Sequence, residues 1–199
     1  MVKPMNKTLV AATHNKGKLA EFARMLEPKG IDVVSPPDPE LIKNIVEDGK
    51  TFAENALIKA RAVFAATGLP TMADDSGLCV DALDGRPGVY SARYLGEDTP
   101  YTVKNAAIIK ALESVPDEAR TARFECAIAL VTAQGAHVFR GTFEGKIGYK
   151  PSGENGFGYD PIFYVGNTSS SDMSDCEKDA VSHRGKALRA MLAEIERLL

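Results

Sequence analysis

An α/β fold around a mixed sheet is what this sequence predicts, and three observations carry the prediction. Short apolar runs alternate with stretches of helical period, as in βα units. A turn signal at Gln134-Gly135 sits between two β-rich segments, as in an antiparallel hairpin, so parallel and antiparallel pairing are both expected. The third is size: 199 residues, 44% of them hydrophobic, suffice to bury about 70% of the unfolded chain's surface. No repeat, low-complexity tract or linker divides the chain, so a single domain over residues 1–199 is expected.

In order, KTLVAA (7–12) reads as a strand feeding the polar loop THNKGK (13–18). Leu19, Phe22, Ala23 and Leu26 then recur at helical spacing until Pro28 and Gly30 stop them. IDVVS is a second strand, and PPDPE, with three prolines, excludes regular structure. The securest helix follows: Thr51 and Glu54 form a capping box, and Phe52, Ala56, Ala60, Val63 and Phe64 line one face up to Gly68. LPTMAD is a short strand ending where ADDSG suggests a turn, and YTVKNAAIIKALESV is helical. The two hairpin arms are ARFECAIALVTA and AHVFRGTFEGKI. Glycine and proline then dominate 148–166, and a last helix runs from Ser182 through Leu188, Met191, Leu192, Ile195 and Leu198.

A formal charge of −3 supplies no overall basic field, which argues against a protein that grips nucleic-acid backbone and leaves any phosphate site local. Cys79, Cys126 and Cys176 are odd in number and lack a C-x-x-C spacing, so a disulfide framework or zinc knuckle is not expected and a reducing cytoplasm fits. The N-terminal apolar stretch is too short for a secretory signal, and no run approaches membrane-spanning length.

Several polar clusters carry chemistry. THNKGK sits where a strand hands over to a helix, whose free N–H groups and Lys18 suit a phosphate, although the glycine spacing of a P-loop is absent and an ordinary βα loop reads equally well. In EDGKTFAENALIKA (47–60), Asn55 and Lys59 share a helix face that reads on its own as solvated; Glu47 becomes functional by turning inward to meet another carboxylate, since Mg²⁺ is commonly held by one or two carboxylates plus phosphate oxygens and water. ADDSG offers that partner or a turn. Neighbours in a strand point to opposite faces, so one of Asp74 and Asp75 is expected to be chemical and the other structural. GENGFGYDPIFYV (153–165) can stack a base on its aromatics or bury them as anchors. In SHRGKAL, His183 and Arg184 place positive charge in a first helical turn, against the dipole, which hints at function.

Taken jointly and in order, THNKGK, EDGKTFAENALIKA, ADDSGLCVDALDGRPGVYSARY, GFGYDPIF and SHRGKAL closely resemble the Ham1-type nucleoside-triphosphate pyrophosphatases, which include inosine triphosphate and dITP/XTP pyrophosphatases. Although the serine-rich GNTSSSDMSDCEKD (166–179) lies outside its motifs and reads as a mobile stretch, the resemblance spans nearly the whole chain. It implies an elongated mixed sheet flanked by helices, two lobes with an active cleft, a cytoplasmic Mg²⁺-dependent homodimer, and hydrolysis of non-standard purine triphosphates (ITP, dITP, XTP) to monophosphate and pyrophosphate. Carried over position by position, it implies that Thr13, His14, Asn15, Lys16, Gly17 and Lys18 bind triphosphate, with Lys59 a further phosphate-facing lysine. Glu47 and Asp75 would hold metal, Asp75 would also accept a proton, and Ser76 would touch substrate. Phe157, Gly158, Tyr159 and Asp160 would hold the nucleoside, with Lys178, His183 and Arg184 near the base. No stable nucleic-acid or membrane partner is expected.

The chemistry is coherent. An anionic triphosphate must be neutralised by metal and lysines before water can approach its α-phosphorus, and Glu47, Asp75, Lys18 and Lys59 supply that set. Asp74 would fix a turn that Gly77 lets the backbone make. Donor-only groups such as Arg184 suit the six-keto group of hypoxanthine or xanthine and penalise adenine's amino group. A Maf-like pyrophosphatase for other nucleotides and a non-catalytic nucleotide-binding module are the alternatives. SHRG and GFGYDP weigh against the first, and the presence of both Glu47 and Asp75 against the second.

Overall fold

A computed structural model describes residues 7–199. The strands are β1 (Lys7–Ala11), β2 (Ile31–Val34), β3 (Thr71–Val80), β4 (Thr121–Thr132), β5 (Gly135–Ile147), β6 (Phe163–Val165) and β7 (Thr168–Ser169). They form one seven-stranded sheet in the order β2-β1-β3-β4-β5-β6-β7. β1 pairs in parallel with β2 and with β3, the latter through Val10↔Thr71 and Ala11↔Met72, whereas β6 runs antiparallel to β5 and β7. The sheet is thus mixed, as expected. Its helices are α1 (Lys16–Leu26), α2 (Glu40–Lys43), α3 (Phe52–Thr67), α4 (Tyr101–Ala111), α5 (Asp175–Val181), α6 (His183–Leu192) and α7 (Ile195–Leu198).

Two compact units are distinguishable. The first holds the described residues up to Asp75, Cys126–Arg140 and Arg184–Leu199. Its core gathers Leu9 and Ala11 of β1, Phe22 and Leu26 of α1, Met72, Ile128, Leu130, Leu188 and Met191. Leu9, Val10 and Ala11 are all buried, as befits a parallel strand covered on both sides. The α3 capping box forms as read, with Glu54 N–H donating to Thr51 Oγ1, and Gly68 closes the helix at φ 68°. The second unit holds Ser76–Glu125 and Gly141–His183, around Leu78, Val80, Ile108, Leu112, Phe124, Phe143, Ile162 and Phe163.

Four local expectations are corrected. β3 does not end before ADDSG but runs on through it to Val80, so there is no turn for Asp74 to fix and none for Gly77 to ease. Ladder pairing overrides the turn preference of Asp-Ser-Gly. PPDPE is not wholly irregular, since its last residue opens α2. GNTSSSDMSDCEKD, expected to be mobile, contains β7, the wholly buried Ser169, Ser170 and Ser171, and α5 with its own capping box, Ser174 to Glu177. The last helix starts next to Ser182, at His183, but it is not continuous: it breaks after Leu192 before resuming as α7. All three cysteines are free thiols, and among the described residues no helix is long and apolar enough to cross a membrane.

Candidate active site

The predicted site residues fall into groups within each unit. In the first unit, β3 turns Asp74 and Asp75 to opposite sides, and different partners meet each.

Asp74 is wholly buried. Its carboxylate accepts from Arg184 Nε at 3.1 Å and from the Cys126 thiol at 2.9 Å, and pairs with the Lys18 ammonium. Arg184 Nη1 donates to Glu21 Oε2 at 2.5 Å. Burial alone would push the Asp74 pKa up, but the charges of Arg184 and Lys18 hold it well below the ordinary value. Arg184, placed against the helix dipole at the start of α6, is thus neutralised by Asp74 and Glu21. The Cys126 thiol is held far above its ordinary pKa by burial and by Asp74.

On the other side, Lys59 Nζ donates to Glu47 Oε2 at 2.7 Å and to Asp75 Oδ1 at 3.4 Å. Asn55, one turn earlier on α3, donates from Nδ2 to Asp75 Oδ2 at 3.2 Å and accepts the Gly49 N–H at 2.8 Å, which ties the segment carrying Glu47 to the strand carrying Asp75. Only glycine fits at 49, because a Cβ there would lie 2.6 Å from Asn55 Oδ1. Asn55 and Lys59 are 1% and 7% exposed, so the solvated face expected for them is a buried one. Burial raises the Asp75 pKa, with Lys59 and Lys18 opposing. Burial also pulls Lys59 down, but Asp75 and Glu47 outweigh it and its pKa rises.

THNKGK closes β1 and opens α1. Asn15 Oδ1 caps the helix by accepting the Lys18 N–H at 3.1 Å, and Thr13 Oγ1 accepts the Asn15 N–H at 3.1 Å. The cap leaves the Lys16 and Gly17 amides at the helix mouth beside the exposed His14 and Lys16 side chains.

In the second unit, Ser76 follows in β3 and is half-buried. Asp160 is buried and organises the loop before it, accepting from the Phe157 N–H at 2.8 Å, Lys178 Nζ at 2.6 Å and Ser170 Oγ at 3.1 Å. Gly156 is required there, since a Cβ would fall 2.3 Å from Asp160 Oδ2. The Lys178 ammonium lies 5.0 Å from the centroid of the half-buried Phe157 ring. Tyr159 is an anchor: its ring meets Tyr101 edge-on at 5.2 Å and its hydroxyl donates to the Ser91 carbonyl at 2.8 Å. His183 stacks on Phe124 at 4.9 Å.

Glu21, Ser170 and Asn105, which donates to the Gly158 carbonyl at 3.1 Å, belong to no motif in the sequence, and Cys126 stands there only as one of three unpaired cysteines. Glu21 carried a signal, as a charged residue one position before Phe22 on the buried face of α1.

Glu47 and Asp75 converge on one cationic group, here the Lys59 ammonium, so two hard carboxylates are already gathered around positive charge. That donor set fits Mg²⁺, which takes one or two carboxylates and completes its shell with water and phosphate oxygens. No group of three or more histidine, cysteine or acidic side chains suited to holding a metal on its own occurs among the described residues. Any such ion would lean on substrate and water for its remaining ligands.

The sequence profile of the Ham1 family matches residues 9–194. The chain belongs to the Ham1 family. It is 51% identical over 194 residues to the dITP/XTP pyrophosphatase of Nitratidesulfovibrio vulgaris, covering 93% of this chain and 94% of that one. Its identity to the dITP/XTP pyrophosphatase of Geobacter sulfurreducens is 50% over 183 residues, covering 90% and 92%. Among solved Ham1 structures, the Coxiella burnetii protein superposes with a TM-score of 0.85 at 40% identity, covering 96% of this chain and 99% of that one. The Staphylococcus aureus Ham1 protein gives 0.84 at 37% identity, covering 97% and 100%. The α/β fold of this Ham1 chain is therefore the family's fold.

Proposed function

We propose that this Ham1 protein is a nucleoside-triphosphate pyrophosphatase that hydrolyses non-standard purine triphosphates (ITP, dITP and XTP) to the monophosphate and pyrophosphate, removing them from the nucleotide pool. The observation that carries the reading is Asp75: a carboxylate of raised pKa, held by Lys59 and Asn55 beside Glu47. The names of the relatives support the substrate class.

In this reading the α1 mouth, Lys18 and Lys59 grip the triphosphate. Asp75 takes a proton as water oxygen bonds to the α-phosphorus, and the α–β bridging bond breaks to release pyrophosphate. Mg²⁺, held by Glu47 and Asp75, would supply charge neutralisation of the phosphate oxygens. The loop at Phe157, Gly158, Tyr159 and Asp160 holds the nucleoside with Ser76, Lys178 and His183. We also read the enzyme as a cytoplasmic homodimer; its three free thiols suit a reducing compartment, and sedimentation tests the dimer.

The decisive experiment measures pyrophosphate release from ITP, dITP, XTP, GTP and ATP with and without Mg²⁺. Metal-dependent release from the first three at far higher kcat/KM than from ATP is expected. Orthophosphate with a diphosphate product would overturn the cleavage position.

A further inference from the structure

α4 presents one face to the loop assigned to the nucleoside. Tyr101, Asn105, Ile108 and Leu112 follow one another at helical spacing, and Ile108 and Leu112 are wholly buried. Position 105 therefore belongs to an apolar stripe, yet it holds an amide that is 4% exposed. Nδ2 donates to the Gly158 carbonyl, while Oδ1 is buried with no hydrogen-bonding partner among the described residues. A buried amide satisfied on one side costs stability that a leucine there would not, so packing does not explain it.

What the amide holds does explain it. Gly158 has φ of 69° and lies in a stretch without regular secondary structure. The loop's two ends are pinned to each other, since the Phe157 N–H donates to the Asp160 carboxylate, which Lys178 and Ser170 hold in turn. The carbonyl between them is held from α4 by Asn105. One turn earlier, Tyr101 packs edge-on to Tyr159, and its Cε1 lies 3.5 Å from where a Cβ of Gly158 would be. Lys104 anchors α4 to the Ala92 carbonyl, the residue after Ser91, which receives the Tyr159 hydroxyl.

We propose that Asn105 is a positioning residue for nucleoside binding: through the Gly158 carbonyl it holds the Phe157-bearing loop in its binding shape before substrate arrives. Binding then bears none of the cost of ordering that loop. The proposal rests on the pyrophosphatase reading and concerns only its nucleoside half.

The test compares the parent with Asn105→Ala and with Asn105→Leu, which removes both polar groups and suits the apolar stripe, using Phe157→Ala as the reference for lost nucleoside grip. With ITP, both Asn105 variants are expected to raise KM roughly 5- to 30-fold, the scale of one lost buried hydrogen bond, with kcat within about twofold. The inhibition constant of inosine monophosphate should rise by the same factor while that of inorganic pyrophosphate stays put; general loosening would move both. A parental KM in Asn105→Leu, equal shifts for the two inhibitors, or unfolding of both variants would overturn the proposal. A parent that releases no pyrophosphate from ITP, dITP or XTP would overturn the functional reading itself and this proposal with it.

Discussion

Around Asp74, two cations and a thiol close on a wholly buried carboxylate, and Glu21 balances the far side of Arg184; around Asp75, one residue along the same strand, two carboxylates converge on a single ammonium. The first set pairs two acids with two bases, of which only Lys18 is partly exposed, so its centre behaves as a piece of the core. The second gathers two carboxylates around one ammonium at a partly open position, a set that would accept a further cation; burial lifts the pKa of Asp75, with Glu47 adding to it against Lys59 and Lys18. On the proposed reading, a structural and a chemical carboxylate differ here in the balance and exposure of their partners, not in residue type.

The comparison breaks most readily at Asp75. Asp75→Asn keeps shape and hydrogen-bonding reach, so the melting temperature should stay within a few degrees while kcat falls by about 10² to 10⁴, the range for a lost acid–base group, with metal loss adding to it. Retained activity would place the chemistry elsewhere.

Asp74→Asn should do the reverse. It strips the charge that neutralises Arg184 and Lys18, and losing one partner of a buried ion pair costs roughly 3–5 kcal/mol. A fall in melting temperature of roughly 6–20 °C is expected by calorimetry. A stable but inactive variant would show the two aspartates to have exchanged roles.

Titration sharpens the contrast. Asp74 has a depressed folded-state pKa, so its stabilisation is present above the ordinary aspartate value of about 3.9 and is lost as pH falls below it toward the folded value. Asp75 is raised, so in metal-free protein it takes up its proton above about 3.9, where Asp74 stays ionised. Carboxyl NMR titration should resolve the two midpoints in that order, and adding Mg²⁺ should pull only the Asp75 midpoint down. Identical midpoints would dissolve the distinction.

The smallest effect concerns the thiol. Cys126→Ala removes one donor to Asp74 and should lower stability by about 1–2 kcal/mol by denaturant melt, with Cys126→Ser restoring most of it. A neutral Cys126→Ala would mean that Arg184 and Lys18 satisfy Asp74 unaided.

Local signals were readable in the sequence and long-range partners were not. The Thr51–Glu54 box and Gly68 mark both ends of α3 because caps act within a few residues. The Ser174–Glu177 box that opens α5 was equally present but lay in a serine-rich stretch that suggested mobility. The opposite facing of Asp74 and Asp75 followed from strand alternation even though the strand's length was misjudged. Arg184 meets Asp74 across 110 positions and Glu21 across 163, and no periodicity reports such a meeting. Asn55 was visible beside Lys59 on one helix face, but two polar residues together point to solvent unless the acid they serve is already known.

The register of β3 against β1 sets a limit on how the chain can vary in length. Val10 pairs with Thr71 and Ala11 with Met72, two residues before the aspartates. Inserting or deleting one residue between Met72 and Asp74 would turn every later side chain of the strand to the opposite face. Lys18 and Arg184 would then meet Ala73 or Asp75, and Glu47 would meet the wrong neighbour. Substitutions in β3 can be graded one by one, as above, but a change of length there is all-or-none, so loops placed for domain insertion or circular permutation belong elsewhere, such as at the Ala133-Gln134 turn between β4 and β5.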